Sequence, residues 1–409
     1  MKHRGFSLFV LFVILSVIGC NKGQDRMKEQ ALHKEAEELA KKYIIVDTHI
    51  DTPYQLQKHW VDITQPTDLN FDYQKAVAGG LNVAFMSIYV SPEYQQGGAK
   101  SAADSLIDLV KSLAERWPEK FAIGTDIANI KRQVQHGKIS LPMGMENGAP
   151  IEGDLDNLQY FYDRGIRYIT LTHSKWNHIG DSSYDPDKHW NGLSPFGKKL
   201  IPAMNKLGMI IDVSHVSDST FYQVLQLTKA PVMATHSAAR HFTPGFERNM
   251  SDDMIKKLAA NGGVMQINVG SYFVNNAHRE AADKTNNDIN SYLEEHHIDG
   301  HSEEATVYSK KYRQEHPLPK ATVKDVADQI DYVVNLVGIN YVGIGSDFDG
   351  VRSLPTGLED VSKFPNLIYE LLKRGYSKED IHKICSENFF RVWNKIDQVG
   401  KKLRTKDQT

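Results

Sequence analysis

A chain of 409 residues with 41% hydrophobic composition is long enough to bury one large core or two ordinary ones. Its formal net charge is −3 with both signs dispersed, a balance that gives no footing for nucleic acid. Its two cysteines, Cys20 and Cys385, exclude a disulfide framework and a thiolate zinc site, so any metal must be held by His, Asp and Glu.

Lys2, His3 and Arg4 precede an apolar run over residues 6–18, which ends at Gly19-Cys20. A basic start followed by a short apolar stretch defines a signal peptide, here residues 1–20, too short to span a bilayer comfortably. The stretch Val17-Ile18-Gly19-Cys20 resembles a bacterial lipoprotein processing box. It implies that Cys20 is the lipid attachment site and that the protein sits in the bacterial cell envelope, on the outer-membrane or periplasmic side. A plain signal peptide cut nearby is the alternative. Residues 21–30 are polar and read as a tether, and residues 29–43, rich in Ala, Glu, Leu and Lys, read as a helix.

Residues 44–51 then read Ile-Ile-Val-Asp-Thr-His-Ile-Asp. Alternate side chains share a face of a strand, so Asp47, His49 and Asp51 are expected to point one way. That is the form of a barrel strand delivering metal ligands at its C-terminal rim. An amphipathic strand with a solvated face is the bland alternative, and HxD alone is a short pattern.

The same unit recurs. Apolar runs follow at 81–90, 139–147, 166–173, 208–215, 231–237, 263–269 and 341–349. Helical stretches separate them. Residues 101–117 carry Leu106, Leu109, Val110 and Leu113 in one stripe, and residues 125–136 add a further helix. Ser194-Pro195, Ser217 or Asp218, and Ser251 cap later helices, the last stopped by Gly262-Gly263. Eight runs alternating with helices predict a (β/α)8, TIM-like barrel. A doubly wound sheet would call for a Gly-rich phosphate loop after its first strand, and none follows Asp51. Six runs end in a residue able to bind metal or move a proton, and strand ends of this fold converge on one site.

Residues 271–320 break the rhythm. They are polar, charged and without a strand-like run, which predicts a helical excursion or lid over the barrel mouth. His296, His297 and His301 lie there without the strand-end placement of the other candidates. Residues 365–374 and 377–395 read as helices, and the basic tail 399–409 is expected to fray. Residues 31–398 thus form a single catalytic domain.

The convergent set is His49, Asp51, Glu146, His215 and His236. Five ligands are too many for one catalytic zinc with an open position, and they suit two metals with a carboxylate between them. Glu146, the lone acid of its run, is the best bridge. His49 and Asp51 then hold one ion, and His215 and His236 the other. A water or hydroxide shared by two such ions is a nucleophile near neutral pH. Each histidine could instead be a hydrogen-bonded core residue. Asp47 and Asp212 are either groups that orient an imidazole or buried, paired carboxylates.

The motifs VDTHID, GMENG, LTH, DVSH, THSAA, Arg248-Asn249 and GSDFDG, in this order and at these spacings, resemble the membrane (renal-type) dipeptidase family. The likeness runs over residues 44–393. It implies a binuclear zinc (β/α)8 hydrolase of the amidohydrolase superfamily that cleaves dipeptides, L-D as well as L-L. It implies two Zn2+ per chain, on His49 and Asp51 and on His215 and His236, bridged by Glu146. It further implies that His173 contacts the substrate and the developing oxyanion, that Arg248 binds the substrate carboxylate, and that Asp347 is the catalytic acid/base. Asp349, on the same face of its run, is the rival to Asp347. The partners implied are a dipeptide and, through the lipid, a membrane, with a homodimer open as the oligomeric state. One departure touches the substrate wall: residues 268–271 lack an aromatic that animal members carry after strand seven.

Two other readings compete. Another amidohydrolase, an N-acyl amino acid deacylase, lactonase or phosphotriesterase, commonly uses a modified lysine as bridge. Here Lys175 lies beyond the strand end, and Glu146 can bridge instead. A non-catalytic peptide-binding lipoprotein would have no need of a full ligand set beside Asp347.

Overall fold

The computed structural model describes residues 26–406 of the chain. Ten strands form one sheet: β1 (Ile45–Ile50), β2 (Leu81–Tyr89), β3 (Phe121–Ala122), β4 (Ile139–Ser140), β5 (Met143–Glu146), β6 (Ile166–Thr170), β7 (Ile210–Asp212), β8 (Met233–Ser237), β9 (Val264–Ile267) and β10 (Val342–Ile344). The pairings run β1-β2-β5-β6-β7-β8-β9-β10, all parallel. The segment after β10 returns to β1: Asp51 N donates to Phe348 O at 2.8 Å and Asp347 N to His49 O at 3.0 Å. Eight strands therefore close into a barrel, as the alternation of apolar runs predicts, and β3 and β4 extend the sheet from β2.

Two local differences from the sequence reading have clear causes. The run 139–147 is two strands, broken at Leu141-Pro142, because proline has no N–H for the ladder. In β1 three steps from Asp47 to Ile50 oppose two from Ala84 to Met86, so one residue is extra. This bulge breaks the expected alternation. Val46 joins the cluster at the barrel floor while His49 faces the metal-binding candidates.

The floor is closed by the C-terminal helix Asn388–Lys406. Its Phe389, Phe390, Trp393 and Ile396 pack against Val46, Val83, Phe85, Tyr168, Ile210, Met233 and Val264 of the strands. That plug leaves the opposite end, where the strands finish, as the open mouth. The helix runs through Lys406, so residues 399–406 do not fray as expected. Arg404 Nη1 donates to the carbonyls of Lys206 and Leu207 at 2.5 and 3.0 Å and ties the last turn down. At the other terminus a helix covers 26–42, so residues 26–30 of the expected tether are helical. It docks through His33, stacked 3.6 Å from Tyr369, and Glu29, which accepts from the Tyr369 hydroxyl. The expected signal peptide 1–20 with Cys20, residues 21–25 of the expected tether and residues 407–409 of the expected tail lie outside the described residues. Among the described residues no helix is long and apolar enough to cross a membrane.

Residues 271–320 are helical as expected. Helices Asn276–Glu295 and Glu303–Glu315 pair around a small core of their own, Ile289, Leu293 and Ala305, with Tyr292 stacked on Tyr308 at 3.8 Å.

Candidate metal centre

Every acid and imidazole singled out for metal in the sequence stands at or just beyond a C-terminal strand end. Glu146 is at their centre, and its two oxygens face different partners. Oε2 lies 3.4 Å from His49 Nε2. Oε1 lies 3.1 Å from His215 Nε2, 3.4 Å from His236 Nε2 and 3.7 Å from His173 Nε2. Asp51 Oδ2 lies 3.4 Å from His49 Nε2. Three overlapping groups each bring their donor atoms within 4.8 Å: His49, Glu146 and His236; Glu146, His173 and His215; His49, Asp51 and Asp347.

The donor set fits a pair of divalent cations. His49 Nε2 is buried without a hydrogen-bond partner. The Nε2 atoms of His215 and His236 face each other at 2.8 Å. Burial pushes His215 well below the usual imidazole range and His236 down to about 4, with nearby positive charge adding to both. Both therefore present the neutral form that binds metal. For His49 burial acts downward too, but Tyr168, Glu146 and Asp51 outweigh it and raise the group well above its ordinary value. Tyr168 and the two carboxylates thus draw positive charge to this point. Glu146 is held well below the carboxylate range: burial opposes the charge, and His49 and His173 overcome it.

The supports were only partly legible. Asp47 does not touch a ligand imidazole. It accepts from the backbone N of His49 at 3.2 Å and from Ser346 N and Oγ at 2.8 and 2.5 Å, bracing the seam where the barrel closes. Asp212 likewise takes four donors, Ser214 N, Thr235 N and the hydroxyls of Thr170 and Thr235. Sequence reasoning missed Tyr168, whose hydroxyl lies 2.7 Å from His49 Nδ1. Its ring lies against Gly144, where a Cβ would come within 1.9 Å of Tyr168 Cζ. Gly144 was the available signal, since a glycine inside a strand marks close approach.

Asp347 turns into the site with φ +65°, and Asn268 Nδ2 donates to its Oδ2 at 2.7 Å. Burial and the Asp51 charge raise its pKa well above the ordinary value. Asp349 points elsewhere, accepting from Thr52 Oγ1 at 2.5 Å and Asn70 N at 2.6 Å. Arg248 is buried; it donates to His236 O at 2.7 Å and Ser237 Oγ at 3.1 Å, while its Nε has no hydrogen-bond partner. Its guanidinium lies 5.4 Å from the centre of the Phe273 ring. Two aromatics, Tyr272 and Phe273, follow directly on residues 268–271 and pack on Phe246. Tyr89 meets His173 edge-on at 4.8 Å, and Tyr184 lies 5.8 Å from His215. His296, His297 and His301 are exposed in the hairpin and belong to none of the three donor groups.

Comparison with known proteins gives a consistent picture. Residues 33–407 match the model of a family described as membrane dipeptidase, peptidase family M19. The chain is 31% identical to dipeptidase aclJ of Aspergillus oryzae, over 91% of this chain and 83% of that protein. It is 32% identical to the uncharacterized dipeptidase C965.12 of Schizosaccharomyces pombe, over 93% and 87%. Among solved structures, the probable dipeptidase PvdM of Pseudomonas aeruginosa superposes with a TM-score of 0.80 at 28% identity, over 90% of this chain and 99% of that one. A metallopeptidase of Rhodobacter sphaeroides, liganded with a phosphinate mimic of the dipeptide L-Ala-D-Ala, shares the fold with a TM-score of 0.71 at 22% identity, over 87% and 99%.

Proposed function

This chain belongs to the membrane dipeptidase family, peptidase family M19, and we propose that it is a two-zinc dipeptidase acting on L-D as well as L-L dipeptides. The observation that carries the two-ion reading is the division of Glu146, one oxygen toward His49 and the other toward His215 and His236. His49 and Asp51 would hold one ion, His215 and His236 the second, and Glu146 both. Bound there, two zinc ions would polarise a carbonyl and lower the pKa of a water.

The chain's own residues do the rest. Arg248, buried and with Nε unpartnered, pairs with the dipeptide's terminal carboxylate and fixes the register of the scissile bond. His173, beside Glu146 Oε1, donates an N–H to the carbonyl oxygen as it gains charge. Asp347 takes the proton of the attacking water and returns it to the departing amine nitrogen. Asn268 holds its Oδ2, so Oδ1 is the oxygen that carries the proton. The L-D reading is supported by the dipeptide mimic seen on the Rhodobacter sphaeroides protein. Lipidation at Cys20 would hold the enzyme at the cell envelope, where such peptides arise.

The test is an assay of the zinc-loaded protein on L-L and L-D dipeptides beside N-acyl amino acids and lactones. Turnover is expected for dipeptides of both kinds. Turnover confined to acyl amino acids or lactones would overturn the reading in favour of a deacylase or lactonase, and binding of dipeptides without turnover would favour a capture protein.

A further inference from the structure

The catalytic reading uses the histidines of Asp212-Val213-Ser214-His215 and Thr235-His236 and leaves Asp212 and Thr235 without a task. Their hydrogen bonds have only one consistent direction. Thr235 Oγ1 lies 2.7 Å from Asp212 Oδ2 and 2.9 Å from His236 Nδ1. A hydroxyl has one hydrogen, and a carboxylate can only accept. Asp212 already gathers Ser214 N and Thr235 N at 2.9 Å each and Thr170 Oγ1 at 2.5 Å, all donors, and it is wholly buried. The Thr235 hydrogen therefore goes to Asp212, and its lone pair takes the proton of His236 Nδ1.

We propose that Asp212 and Thr235 are positioning residues that preset His236 as the tautomer protonated on Nδ1, its Nε2 lone pair aimed at the Glu146 side before any ion arrives. The other two ligand imidazoles have no such lock. His215 Nδ1 is buried with no partner. His49 Nδ1 meets a tyrosine hydroxyl, which can donate or accept as the ring requires. Of the facing pair His215 and His236, the metal-free chain places the shared hydrogen on His215. Ion uptake at this position then requires His215 to carry its hydrogen on Nδ1, which has no partner to oppose it, and no rearrangement of His236. The purpose of the relay rests on His236 being a metal ligand; its direction does not.

The direction is read on the full chain, labelled with 15N-histidine and stripped with a chelator, from the nitrogen shifts of the His236 ring. A proton on Nδ1 and a bare Nε2 are expected. A proton on Nε2, or averaging between the two forms, overturns the relay. The purpose is read by titrating cobalt(II) into the stripped chain and following its visible absorption. Thr235→Val is expected to weaken uptake of one of the two ions about ten- to a hundredfold, and Thr235→Ser, which keeps the hydroxyl, to restore it. Unchanged affinity in Thr235→Val, or a serine variant as weak as the valine one, overturns the positioning role. Should the valine variant not fold, the wild-type ring spectrum and the serine variant still decide. A wild-type chain that takes up no cobalt while showing a bare Nε2 would sink the metal-site reading and leave the relay standing.

Discussion

At the scale of single residues, the site depends on groups whose neighbours leave them no alternative. Glu146 faces both halves of the ligand set, while His215 serves one half only. His215→Ala should therefore lower bound zinc from about two ions per chain to about one, measured by elemental analysis after dialysis; an unchanged content would break the assignment. Gly144 is a second such residue. Added carbon there would sit 1.9 Å from Tyr168 Cζ, inside a packed barrel. Gly144→Ala should cost about 1–3 kcal/mol by overpacking, seen as a lower denaturant midpoint. It should also weaken metal at His49, because the Tyr168 hydroxyl could no longer hold Nδ1. A variant as stable as the parent would mean that the ring has room to move.

At the scale of elements, the hairpin of residues 276–315 keeps its own small core, joined to the site wall at its base. There Tyr272 donates to Asp283, and Arg279 lies over Phe246. Its three exposed histidines lie in the turn between the helices and belong to none of the three donor groups. Replacing His296, His297 and His301 together by Asn should leave zinc content and dipeptide turnover within experimental error. Loss of an ion in that variant would show that the turn reaches the mouth. The β1 bulge works at the same scale: one inserted residue lets Val46 reach the floor and His49 reach the metal position.

At the scale of the whole molecule, the barrel is stoppered at one end so that the other can be a site. Trp393 is buried among strand residues and touches Phe85, which in turn packs on Tyr168 below His49. Trp393→Ala should cost about 3–5 kcal/mol, read from chemical denaturation. Part of the loss should appear as weaker zinc binding, since the floor supports the Tyr168–His49 contact. Stability lost with metal affinity intact would separate the plug from the site.

The sequence by itself determined the barrel and the residue types gathered at its strand ends. Strand periodicity and strand-end polarity are local properties, written in residues a few positions apart. It also carried the warning about residues 271–320, because a chain without apolar runs cannot build strands. Other features were decided only by tertiary structure, because they depend on residues distant in the chain. Asp347 and Asp349 look alike in sequence, yet one meets Asn268 and the other Thr52 and Asn70. Asp47 shares the pattern of its neighbours until the bulge and the Ser346 contacts turn it to the seam. The tail looked free until Arg404 found carbonyls some two hundred residues earlier. Tyr168 drew no reading from its own neighbours, because only closure of the barrel sets its hydroxyl against His49, 119 positions away.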